Sequence, residues 1–153
     1  METWKTVVLR GNSNTLDHHR SLTRSGVVLA EPAREMVKLA PPVEPRRFEL
    51  VRLPIRELAR PDEKRDILAR RARILGLEPC PALLAPKLRL QYKNQPHEEI
   101  LWLVMDFIHC TAKGQHGFCL INRYGILWLG AYQGTLPIGR EINNIHVVLA
   151  RAA

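Results

Sequence analysis

Aromatic side chains are scarce, at 6% of residues, so aliphatic side chains must build most of any core. Cysteine is scarcer still. Cys80, Cys110 and Cys119 form an odd, sparse set, which argues against a disulfide scaffold and suits free thiols in a reducing cytoplasm. No apolar run approaches the roughly 20 residues that a membrane-spanning helix needs, so no membrane partner is expected. The opening METWKTVVLRGN has no basic segment followed by a long apolar one, and no secretory signal is expected. Also missing are the short patterns that announce a chemistry: GxSxG, a P-loop, HExxH, GxGxxG and CxxC. Their absence removes the direct routes to an enzyme class and to a cofactor.

What is present is an ordinary globular balance, 46% apolar and 25% charged, in 153 residues. That length suits one domain with a real core. Residues 1–45 read as an N-terminal strand and short helices, and residues 46–153 as a helix plus an antiparallel sheet. The formal charge of +8 is spread evenly, with excesses of +3, +3 and +2 over residues 1–47, 48–100 and 101–153. An even excess favours solubility and weak affinity for polyanions; it is not the focused patch of a dedicated nucleic-acid binder.

Thr6-Val7-Val8-Leu9 reads as a strand, closed by a turn at residues 11–14. Asn14 or Thr15 can cap a first helix and Gly26 can stop it. A second short helix is expected over residues 33–39, with Pro32 in its first turn, followed by the stiff connector PPVEPRR. Residues 48–53 alternate like a half-buried strand, and Pro54 argues against a long central one. Residues 62–75 carry the strongest helix pattern: Asp62 as cap, Ile67, Leu68, Ala72, Ile74 and Leu75 on one face, and Gly76 as stop. Arg71 falls inside the apolar arc, where its stem packs and its guanidinium snorkels, or where it pairs with a carboxylate. The alternation of LRLQY places Leu88, Leu90 and Tyr92 on a buried face, with Arg89 and Gln91 making polar contacts from the other. Residues 100–108 read as a strand covered on both faces, residues 118–123 and 126–129 as a hairpin around Tyr124-Gly125, residues 133–144 as loop, and residues 145–149 as the last strand. Trp102 and Trp128 are expected on neighbouring strands. The fold class predicted is α+β: an antiparallel C-terminal sheet against the central helix, with an N-terminal strand and short helices completing it.

His109, Cys110, His116 and Cys119 have the residue types for zinc, but only His116 and Cys119 have knuckle spacing, and the adjacent His109 and Cys110 point to opposite faces of a strand. No metal site is predicted. Cys80, between Pro79 and Pro81, has no base at recognisable spacing and reads as a buried anchor of a rigid turn. Asp106 is a lone carboxylate in an apolar stretch; it must be paired, near a strand end or solvent-facing. The reading taken is a structural partner such as Arg71 or Arg89, which makes Arg71 and Asp106 structural polar residues.

Residues 74–108 carry an unusual order: Leu75-Gly76-Leu77-Glu78, Cys80-Pro81-Ala82, Pro86, Leu88-Arg89-Leu90-Gln91-Tyr92, Gln95-Pro96 and Met105-Asp106. With Thr3-Trp4-Lys5-Thr6, Glu49-Leu50-Val51, Glu57-Leu58, Ile108 and Ile126-Leu127-Trp128-Leu129, this order resembles a family of small uncharacterised bacterial proteins. Their shared pattern reads LGLELCPAEVGPxLRLQYxDQPxGEW, followed by an MEPI element and a GLWL strand. The chain departs from it at residues 97–100, at Phe107, and at residues 109–117, where the family has an acidic turn. The resemblance implies a bacterial, cytoplasmic, single-domain protein and carries no activity with it.

These readings favour a non-enzymatic interaction module that binds a protein partner through the proline-framed element at residues 79–96. The alternative is a nucleic-acid-binding or regulatory protein using a basic helix and the 87–93 segment, through Arg65, Arg70, Arg73, Lys87, Arg89 and Lys93. A third class, a small hydrolase or transferase, needs a cleft with a perturbed acid or thiol.

Overall fold

In the last strand of the chain, β9 (Ile145–Arg151), Ile145, Val147 and Leu149 are buried on one side and Val148 and Ala150 on the other. A strand buried on both faces belongs in the middle of a covered sheet, and that is where β9 lies. The computed structural model describes residues 1–10, 15–111, 114–133 and 139–152. Among these, β9 is preceded by β1 (Lys5–Leu9), α1 (Thr15–Arg24), β2 (Val28–Leu29), α2 (Ala33–Leu39), β3 (Arg46–Pro54), α3 (Ile67–Ile74), β4 (Leu77–Glu78), α4 (Leu84–Gln91), β5 (Ile100–Leu103), β6 (Ile108–Cys110), β7 (Gly114–Arg123) and β8 (Ile126–Tyr132). The strands form one sheet in the order β1-β3-β9-β5-β7-β8-β2, with β4 also beside β9 and β6 beside β7.

The α+β class holds, but the sheet is not the antiparallel C-terminal one expected. β5 runs parallel to β9 and β2 parallel to β8, and β1 and β3 bring the N-terminal third into the same sheet. Both faces are covered. One core joins Leu22 of α1, Met36 of α2 and Leu88 of α4 to Leu50, Phe118 and Leu120 of the sheet. The other joins Leu68 and Ala72 of α3 to Val51, Trp102 and Leu149. The helices therefore sit on opposite faces: α3 on one side, α1, α2 and α4 on the other.

Local signals fared well where they were strong. Ala33–Leu39 is helical as expected. Gly26 and Gly76, at φ 79° and 77°, take the left-handed backbone that ends a helix. Tyr124 and Gly125, both at positive φ, make the hairpin turn between β7 and β8. The turn expected at residues 11–14 lies outside the described residues. Part of the expected 133–144 loop is a 3-10 turn, Gly139–Asn144.

Three expectations are corrected. α3 begins at Ile67, not Asp62, because Asp62 adopts a positive φ and Glu63 binds the Arg60 amide and Arg71 instead of serving the helix. LRLQ is helical, at the end of α4, and Tyr92 caps it, its amide donating to the Leu88 carbonyl. On a helix Leu88 and Tyr92 share a face four residues apart, both buried, while Arg89 is wholly buried and Gln91 exposed. Residues 100–108 do not make one strand. β5 pairs Trp102 with Cys119, and β6 pairs Ile108 with His116. The two lie along the same flank of β7 with residues in excess between them, so the chain leaves the β7 ladder there; Val104 still donates to the Val148 carbonyl at 3.1 Å and Met105 stays buried, while Asp106 is pushed outward. Trp102 and Trp128 share the sheet but are separated by β7. Trp102 is buried and stacks on Tyr132 at 4.0 Å, whereas Trp128 is half-buried.

Candidate functional site

The polar residues of the LRLQY and QP motifs converge under the sheet. Burial lowers the Arg89 guanidinium to about 10. It donates to Gln95 Oε1 at 2.6 Å and to the Tyr92 carbonyl. The Gln95 amide donates to the Leu120 carbonyl at 3.0 Å and to the Glu99 carbonyl at 3.2 Å. The Tyr92 hydroxyl donates to Glu99 at 3.0 Å, and Arg52 from β3 donates to that hydroxyl at 3.0 Å and to Glu99 at 2.5 Å. Trp4 meets the Tyr92 ring edge-on at 5.0 Å, and the Lys5 ammonium lies 5.1 Å from the same ring. This network binds α4, β3, β5 and β7 together. Apart from the Arg89 Nε, buried without a partner among the described residues, its donors and acceptors satisfy one another, which marks it as a structural junction.

The six cations expected for nucleic acid do not form one surface. Arg65, Arg70 and Arg73 belong to α3 and its approach, whereas Lys87, Arg89 and Lys93 belong to α4 and its exit, on the opposite face of the sheet. Arg89 is inaccessible. Arg65 lies 3.5 Å from the Phe107 ring centroid and donates to the carbonyls of Tyr132 and Gln115 at 3.0 and 2.6 Å. Arg70, Arg73, Lys87 and Lys93 are exposed. Arg71 makes the internal pair: its two terminal nitrogens each reach a Glu63 oxygen at 2.8 Å, and one also holds the Leu58 carbonyl. That pair holds Glu63 below the usual carboxylate range.

The thiols are sheltered. Cys80 donates its amide to the Val104 carbonyl at 2.7 Å, and burial raises its thiol far above the ordinary range. Burial raises Cys119 to about 12 and raises Cys110 as well. His109 is exposed while Cys110 beside it is buried, and Cys110 and Cys119 belong to different cores. Among the described residues no three His, Cys, Asp or Glu side chains stand together as metal ligands.

Asp106 corrects the expectation of a structural partner. The excess residues carry it out of the sheet into solvent, where it makes no hydrogen bond or ion pair with the described residues. Arg71 and Arg89 are engaged elsewhere. Asp106 instead forms a ridge between two clefts. On one side lies a half-enclosed cleft of about 250 Å³ walled by Arg65, Asp66, Ala69, Phe107 and Tyr132. On the other lies a cleft of about 540 Å³ walled by Pro42, Arg46, Arg73, Glu78, Pro79 and Pro81. Arg46 is shared in turn with a third cleft, of about 430 Å³, beside Arg47, Glu49 and Arg151. Neighbouring clefts thus share one residue each, Arg46 and Asp106, near the carboxyl ends of β5 and β9, the central parallel pair. The sequence pointed to the proline wall and to Asp106. It did not point to Arg46, Arg47 or Arg151, which meet only through the β3–β9 pairing. No family model, curated protein or solved structure matches the chain.

Proposed function

We propose that the protein is a non-enzymatic interaction module that receives an extended segment of a protein partner in the groove past β5 and β9. The observation that carries this reading is that neighbouring clefts share Asp106 and Arg46 as walls. Each cleft suits one or two side chains, and a run of such clefts is how an extended chain is read. Pro42, Pro79 and Pro81 stiffen one wall, which lowers the ordering cost of binding. Arginines interleaved with Glu44, Glu49, Glu78 and Asp106 suit a polypeptide of mixed charge better than a uniformly negative phosphate backbone. The buried thiols and the motif resemblance support a bacterial cytoplasmic setting for this role.

A randomised peptide display, selected on the wild type and repeated on Ala69→Trp, tests this reading. The new indole fills the cleft beside Phe107. Selected clones are expected to lose binding to Ala69→Trp and to keep it on Lys87→Glu/Lys93→Glu, whose changes lie on the opposite face. Clones indifferent to Ala69→Trp would overturn the groove. So would tighter binding of a homopolymeric RNA, weakening linearly with log salt.

A further inference from the structure

We infer that the groove sorts its occupant by charge order: an acidic stretch lies at the Arg47 end and a basic side chain sits at Asp106. This rests on the groove reading above and adds the chemistry of the partner segment. In the cleft beyond Arg46, Arg47 and Arg151 face one carboxylate, Glu49, while Arg46 between the clefts is paired with Glu78 at 3.3 Å. Glu49 is drawn toward Arg151, at 3.8 Å, while Arg47 is exposed and makes no side-chain hydrogen bond or ion pair with the described residues. In the middle cleft the balance turns: beside the Arg46–Glu78 pair, Arg73 faces Glu44 and Asp106. In the cleft beside Phe107 only Arg65 is positive, against Asp66 and Asp106. Arg65 is engaged by the Phe107 ring and two backbone carbonyls and makes no ion pair with Asp106. The formal charge of the walls therefore changes sign from the Arg47 cleft to the clefts at Asp106.

A uniformly acidic chain meets unpaired carboxylates at the Asp106 end, and a uniformly basic one meets the arginines. A chain with an acidic block followed by a basic block meets opposite charge throughout, and like-charge juxtaposition is what rejects the others. Exposed pairs are individually weak, so this rule sets selectivity more than strength.

Fluorescence anisotropy with three synthetic peptides of equal length tests the proposal: one with a glutamate block, a proline–serine spacer and an arginine block, one all acidic and one all basic. The block peptide is expected to bind the wild type tightest. Asp106→Arg is expected to weaken it about five- to tenfold and to strengthen the all-acidic peptide, and Arg47→Glu to weaken it similarly and favour the all-basic one. Both positions are exposed, and circular dichroism checks that the variants stay folded. Indifference of the block peptide to both reversals, with binding still lost in Ala69→Trp, would overturn the charge rule and leave the groove standing. If none of the three peptides binds while displayed clones do, the charge rule fails alone; if neither binds, both fail.

Discussion

Replacing Arg89 with Met is expected to cost about 2–4 kcal/mol. Arg89 is wholly buried, and methionine keeps most of its apolar stem. What disappears is the guanidinium that serves Gln95 Oε1 at 2.6 Å and the Tyr92 carbonyl. Each acceptor left buried and unmatched costs about 1–3 kcal/mol. Removing a buried cation returns part of that, because its desolvation is itself unfavourable. Glu99 is not orphaned, since Arg52 still holds it at 2.5 Å, so the larger penalty of an uncompensated buried charge does not arise. In urea titration followed by tryptophan fluorescence, a loss of this size moves the midpoint down by about 1–2 M for a slope of about 2 kcal/mol/M, the middle of the usual range. The second arm is a cycle: Arg89→Met/Gln95→Leu removes donor and acceptor together and is expected to be more stable than the sum of the single losses implies, by about 1 kcal/mol or more. A single-variant loss under about 0.5 kcal/mol, or strict additivity in the cycle, would refute the account of Arg89 as the junction of α4.

Three further outcomes follow from described contacts. A Cβ at Gly117 would stand 2.6 Å from Tyr132 Cζ; that ring is pinned by its stack on Trp102, so Gly117→Ala is expected to cost about 2–3 kcal/mol in denaturant titration, and a neutral result would mean that Tyr132 can move. With Cys80 and Cys119 buried and their thiols raised, a water-soluble disulfide reagent at mildly alkaline pH is expected to label neither until urea is added; rapid labelling of Cys119 in the folded protein would contradict the burial. Burial, with Arg52 beside it, lowers the His146 imidazole below its ordinary 6.5. The unfolded chain then takes up that proton first as pH falls, so stability declines from about pH 6.5 downward. His146→Gln is expected to shrink the drop in urea midpoint between neutral and mildly acid pH, and an unchanged drop would exclude His146 as a contributor.

The parts of the fold legible in the sequence were those decided locally. Gly26, Gly76 and Tyr124-Gly125 announce their turns because the backbone there needs a positive φ. LRLQY misled because Leu88, Leu90 and Tyr92 fit a period of two, while Leu88 and Tyr92 equally fit a helical spacing of four; Pro86, welcome in a first helical turn, was the signal favouring the helix. The direction of β5 against β9 leaves no trace in either strand, since both are apolar on two faces whichever way they run. Asp106 looked buried because its neighbours are apolar. Its exposure follows from the mismatch between two registers on β7, a property of pairings distant in sequence. Arg89 as a core residue and Arg47 as a groove residue were beyond local reading for the same reason: burial of a long cation is settled by where its acceptors arrive.

The central place of β9 bears on how the chain is made. β9 separates β3 from β5, so among the described residues the backbone ladder joins the β1–β3 pair to the β5–β7–β8 meander only through residues 145–151. These emerge from the ribosome after both halves are complete. Until then β3 and β5 each present an unpaired apolar edge, the kind of template on which other chains add. Productive folding must wait for the last strand to insert between two preformed parts, with a parallel partner on one side and an antiparallel one on the other. Such long-range closure makes for slow folding, and a nascent chain stalled short of β9 is the form of this protein most exposed to aggregation and most in need of a chaperone.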